Sequence, residues 1–167
     1  MSDDPSWPKP QLADLFPDHV FAKVFGELES LKAHPRACVV VTHGLVELMV
    51  NILIEEKCKS GAQIVGRTRD FPNSVKLTLL HELKVIDDAH FRALTWFRKL
   101  RNRAVHEPHF AIQSSDLDIF QKTNFASSEF YVQCMVVVAV LWNQNYEIFT
   151  RRFFPSWKPS EKTSNHP

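Results

Sequence analysis

Glycine is scarce in this chain, with 4 in 167 residues. Turn-rich β architectures need more backbone freedom than that, so helices are favoured. Cysteine is scarce too: 3 in all, Cys38, Cys58 and Cys134, an odd number with no C-x-x-C pair. A disulfide framework is not expected, and the plain reading is reduced thiols. Charge of one sign is also lacking. The 20 Lys and Arg against 19 Asp and Glu leave a formal charge of +1. No global field draws such a chain to nucleic acid, so binding there needs a local basic patch. Long uncharged apolar runs are missing as well. The run from Cys38 to Ile54 is interrupted by His43, Glu47 and Asn51, and Tyr131 to Trp142 is short and carries Gln133. Neither reaches the roughly 18 residues of a span, so both read as buried helices. The acidic start, Met1-Ser2-Asp3-Asp4-Pro5, has no apolar signal core. The expectation is a cytoplasmic protein with no membrane role.

What is present is a single-domain length with 44% hydrophobic residues, ample for one core. An extended arm is expected over 1–17, with Pro5, Pro8 and Pro10 around Trp7. A helical domain follows over 18–154 and a disordered tail over 155–167. Asp18 begins a first helix with Val20, Phe21, Val24, Phe25 and Leu28 on its apolar face, and His34-Pro35 breaks it. A second helix runs from about Arg36 to Lys57. Its apolar positions almost encircle it, so it belongs at the centre. A loop over Lys59 to Phe71 carries Arg67 and Arg69. Pro72-Asn73-Ser74 opens a third helix, a short helix is expected at Ser115 to Phe120, and one long final helix at Ser127 to Phe153.

The chain is organised around the helix that starts at Ile86-Asp87-Asp88 and ends at Leu100-Arg101-Asn102-Arg103-Ala104-Val105-His106-Glu107. Asp87 suits the cap, Asp88 suits the positive end, and Ile86 with Phe91 has staple spacing. Phe91, Leu94, Phe97, Leu100 and Ala104 make one apolar face, and Pro108 ends the run. Arg98, Asn102 and His106 are each four apart and form a polar stripe. Arg101 falls between Leu94 and Phe97 on the wheel, inside the apolar arc. A buried guanidinium needs a partner. Glu47, on the second helix with His43 and Asn51 at four-residue spacing, is the expected one.

The element Arg101-Asn102-x-x-x-His106, at the end of a long amphipathic helix, resembles the hallmark of the HEPN superfamily. The stretch from Phe71-Pro72-Asn73-Ser74-Val75-Lys76-Leu77 through His106 is similar to the mannitol-repressor-like branch of small helical proteins. The resemblance covers roughly Ala37 to Phe110. It implies an all-α, HEPN-like bundle of four to five helices. For the catalytic members it implies a metal-independent endoribonuclease, with no cofactor. It equally implies the alternative of a non-catalytic regulatory domain that binds a protein.

On the enzyme reading, of toxin or defence type, His106 transfers protons, Arg101 clamps a phosphate in two parallel bonds, and Asn102 orients His106 or donates to the phosphate. Cleavage would act on single-stranded RNA and leave a 2′,3′-cyclic phosphate. A cognate antitoxin or a regulated protein is the matching partner. Arg98, Lys99 and Arg103 would attract RNA locally, although for Lys99 and Arg103 a solvated face is the readier explanation. Glu47, His43 and Asn51 would form a second wall of the groove. The bland counterpart is a histidine ending a helix and an arginine in a structural ion pair. His81, His90 and His109 make no metal spacing, and no phosphate loop, nucleophile elbow or helix-turn-helix signature occurs. Finally, Arg101 and His106 are about 140° apart on one helix, at about 100° per residue. Two copies related by a two-fold axis would bring both to one phosphate. A homodimer is therefore expected, with the motif helix and the final helix at or near its interface.

Overall fold

The computed structural model describes residues 20–121 and 129–154. The expected arm over 1–17 and tail over 155–167 lie outside the described residues. The architecture is all-α, with no strand among the described residues. The helices are α1 (Val20–Ser30), α2 (Pro35–Lys57), α3 (Gly61–Gly66), α4 (Asn73–Glu82), α5 (Asp88–His106), α6 (Ser114–Gln121), α7 (Phe130–Gln144) and α8 (Tyr146–Phe153). Five of these have ten residues or more, and α3, α6 and α8 are short additions to that bundle.

Pro35 sits at the first position of α2, where its missing amide costs nothing. Cys38, Val39, Val46, Met49, Val50, Leu53 and Ile54 bury α2 at the centre, where it meets α1, α3, α4, α5, α7 and α8. By length and composition α2 is able to cross a membrane, with a mean hydropathy of 2.0 over its most apolar window, against the sequence expectation. The same window is 56% buried inside the bundle, as in a central core helix.

Two boundaries depart from expectation. The segment 59–71 is not all loop, because α3 forms within it. Gly61 begins α3 so close to α2 that a Cβ would collide with the Ile54 carbonyl and the Glu55 backbone. The long final helix is broken at Asn145, which stands outside helical geometry at φ −124° and ψ 30°. Its side-chain amide donates to the Leu141 carbonyl at 3.2 Å, a local bond that competes with helix continuation. The break folds α8 back, so that Trp142 stacks on Phe149 with centroids 5.1 Å apart. Arg151 and Arg152 then pair with Glu56 and Glu55 of α2 at 2.6 and 2.9 Å.

The link from α4 to α5 is tight. Lys84 takes the left-handed conformation at φ 56°, and the amides of Val85 and Ile86 donate to the Leu80 carbonyl. Ile86 is buried, and Asp87 caps α5 by accepting from the His90 amide at 2.8 Å.

Candidate functional site

The buried arc of α5, Phe97, Leu100 and Ala104, packs with Cys38 and Val39 of α2 and Cys134 of α7. Burial raises the Cys38 and Cys134 thiols above the ordinary cysteine value, so both stay protonated. The Arg36 guanidinium donates to the carbonyls of Glu107 and Pro108 at 2.7 and 2.9 Å. The start of α2 is thereby tied to the end of α5, and the two helices run antiparallel.

That pairing brings part of the expected constellation together. His43 is buried, and its Nδ1 lies 4.0 Å from a Glu47 carboxylate oxygen. Burial pushes the His43 pKa below the ordinary histidine value. Glu47 pulls it up, and the nearby charges of Arg101 and Arg98 push it further down. His43, Glu47, Arg98 and Arg101 therefore share one polar surface where α2 meets α5. No ion pair joins Glu47 to Arg101 within 4.0 Å among the described residues; Glu47 turns to His43 instead. Arg101 is half-buried rather than enclosed, and it donates to Asn102 Oδ1 at 3.3 Å. The reason is local. Val105, on the adjoining edge of α5, is 47% exposed, as is Val40 on α2 at 44%, so the apolar arc of α5 is uncovered near its end.

The remaining residues divide. Asn102 holds the Arg101 guanidinium, not His106. His106 is the last residue of α5 and is exposed. Arg98 and Lys99 have no carboxylate within 4.0 Å among the described residues, and the Arg98 Nε is buried without a hydrogen-bond partner. Arg103 is engaged structurally, 2.6 Å from Asp116 of α6, 3.5 Å from Glu107, and over the Phe110 ring. Asn51 accepts from Lys76 Nζ at 2.8 Å. Lys76, on α4, is buried at 2% exposure against Asn51, a cation that sequence reasoning missed because a lysine in an apolar helix reads as solvent-facing. Arg67 and Arg69 stand exposed on the turn between α3 and α4.

No family model, curated protein or solved structure matches this chain. The chemistry is accordingly that of the side chains themselves. Among the described residues, no group of three or more His, Cys, Asp or Glu is placed to hold a metal ion. The polar surface offers two unpaired arginines, an amide on one of them, a neutral buried histidine, and an exposed histidine one turn beyond Asn102. Such a set, with the Glu47 carboxylate at its edge, has the donors to hold an oxyanion and a histidine able to move a proton. One further feature escaped the sequence reading: a cleft on α5 lined by Phe91, Arg92, Thr95, Trp96 and Lys99.

Proposed function

We propose that the chain is a metal-independent endoribonuclease of the HEPN type, acting in the cytoplasm on single-stranded RNA. His106 transfers protons, and Arg101, held by Asn102, binds the scissile phosphate. The observation that carries this reading is that the cations around the motif on α5 are left unneutralised, unlike the structural arginine Arg103 beside them. Arg103, Arg151 and Arg152 are ion-paired, whereas Arg98, Lys99 and Arg101 have no carboxylate within 4.0 Å among the described residues. Unneutralised cations beside an exposed histidine suit a polyanion.

The wide angle between Arg101 and His106 calls for a second copy, and an unpartnered surface supports one. Val40, Leu48 and Val105 are exposed at 44, 46 and 47%, and Gly44 lies between Val40 and Leu48 on α2 with open space around it. α7, by contrast, is largely buried, so α2 with α5 replaces the final helix as the proposed interface. Those exposed side chains also favour the second reading, a non-catalytic domain that regulates a partner protein; on the enzyme reading the same surface suits a cognate antitoxin.

Mixing Arg101→Ala with His106→Ala protomers tests the composite site. Each variant alone is inactive, and random mixing restores about a quarter of wild-type activity, because half the dimers hold one intact site. No recovery on mixing, with a strictly monomeric mass by light scattering, overturns the composite site. The binding reading stands instead if His106→Ala leaves every measurable property unchanged.

A further inference from the structure

The cleft on α5 lies upstream of His106 on the same solvent-facing line. Thr95, Lys99, Asn102 and His106 follow at steps of four, three and four residues, which keeps them on one side of the helix. Lys99, Asn102 and His106 are exposed, and Thr95 is half-buried. The cleft measures about 260 Å³ and is walled by two aromatic rings and two cations. That is just below the size of an ordinary small-molecule site. Both rings are held in place. Phe91 stacks on His81 with centroids 4.5 Å apart, and Trp96 meets the edge of Phe97 at 5.7 Å. Neither Arg92 nor Lys99 has a carboxylate within 4.0 Å among the described residues. The nearest candidate on the helix, Asp88, is taken by His81 at 2.7 Å.

We infer that this cleft is a stacking platform for one unpaired nucleobase, with Phe91 and Trp96 as its opposite walls and Arg92 and Lys99 on the flanking phosphates. The inference rests on the ribonuclease reading for its placement relative to His106. Its chemistry follows from the cleft alone. Rings beside unneutralised cations match the alternation of base and phosphate in a single strand, whereas a duplex hides its base faces. At about 1.5 Å per residue, Lys99 and Trp96 lie roughly 10 and 15 Å along the helix from His106, so one short strand reaches both. The platform would set which stretch of RNA is presented to the motif. It would do so with little sequence preference, because every base has a π face.

The test uses the full chain and a labelled 2′-O-methyl oligouridylate of about 12 nucleotides, which lacks the hydroxyl needed for cleavage, with affinity read by fluorescence anisotropy. Trp96→Leu, checked for fold by circular dichroism, weakens binding roughly 5- to 150-fold, the range of one lost base stack. Arg92→Gln with Lys99→Gln, both at the surface, lowers the slope of log affinity against log salt by about 1.4, two contacts at about 0.7 each. The double variant keeps the proposal testable should Trp96→Leu fail to fold. A folded Trp96→Leu with unchanged affinity overturns the platform, as does a blunt duplex that binds as tightly. A peptide ligand that needs Trp96 where RNA does not bind also overturns it. The two readings fail separately. Unchanged cleavage and KM in Trp96→Leu sinks the platform alone, and RNA binding that depends on Trp96 without any cleavage sinks catalysis alone.

Discussion

Replacing Asp87 by alanine removes the anchor of the motif helix. Its Oδ1 accepts from the His90 amide at 2.8 Å and pairs with the His90 ring Nδ1 at 2.7 Å, and Oδ2 accepts from Gln144 at 3.2 Å. Loss of an N-cap acceptor costs about 1 kcal/mol. His90 is 3% exposed, so taking this acceptor from its ring adds about 1–2 kcal/mol. The Gln144 bond is exposed and adds little. Asp87→Ala should therefore cost about 2–3 kcal/mol, or roughly 4–12 °C in Tm for a domain of this size. Asp87→Asn keeps an acceptor oxygen and should lose less than half of that. Acid separates the charge from the cap. Burial alone would raise the Asp87 carboxyl. The bonds from the His90 amide and ring, the His90 charge and the Gln144 amide outweigh it and hold the pKa down to about 2, against 3.8 ordinarily. A depressed folded value means that the ionised group stabilises fully above the ordinary value and ceases to do so as pH falls toward the folded one. In thermal melts followed by circular dichroism, the gap between wild type and Asp87→Asn should close between about pH 4 and pH 2. An Asp87→Ala protein that melts with wild type at pH 7 refutes the anchoring argument, and an Asp87→Asn gap unchanged down to pH 2 refutes the role of its charge.

Three further outcomes are expected. Gly44→Ala should raise stability by about 0.8–1 kcal/mol, because the site is mid-helix and open, while Gly44→Arg should leave the melt intact and yield a monomer by light scattering. A dimer that survives Gly44→Arg counts against the α2 interface. His43 titrates below the ordinary 6.5 in the folded state, so stability should be intact above that value and decline as pH drops beneath it; His43→Gln should flatten that decline in pH-resolved melts. Gly61→Ala forces a Cβ into the end of α2 and should cost about 1–3 kcal/mol in urea titration, and a neutral result would mean that α3 sits off the α2 backbone.

The features legible in the sequence are those set by near neighbours. The Asp87 cap, a second helix opening beside Pro35 at about Arg36 and the apolar face of α5 follow from spacing within one or two turns, and the structure shows each, with Pro35 itself taken into the first turn of α2. The break at Asn145 was missed because asparagine is only a weak helix stop on its own; its bond to Leu141 and the Trp142–Phe149 stack, which spacing does not show, decide it together. The Glu47–Arg101 pairing failed for a related reason. A helical wheel assigns Arg101 to the apolar arc of α5, but whether that arc is covered depends on how far α2 extends beside it. There α2 offers Val40, Gly44 and Glu47 at the edge of an open surface, so neither charge is enclosed. Phe91 was readable only as part of the apolar face of α5, and Trp96 drew no reading; the role proposed for them rests on the cations that α5 sets beside them.

Cleavage of a 5′-labelled single-stranded RNA in EDTA, by wild type and by His106→Ala, is the most direct measurement on the motif. Wild type should cut and leave a 2′,3′-cyclic phosphate on the upstream product. His106→Ala should keep its fold and its affinity for the strand while losing roughly 10²–10⁴-fold in rate, the usual worth of a positioned proton-transfer group. A wild-type protein that binds RNA without cutting it, or a His106→Ala protein that cuts equally fast, contradicts a catalytic role for Arg101, Asn102 and His106.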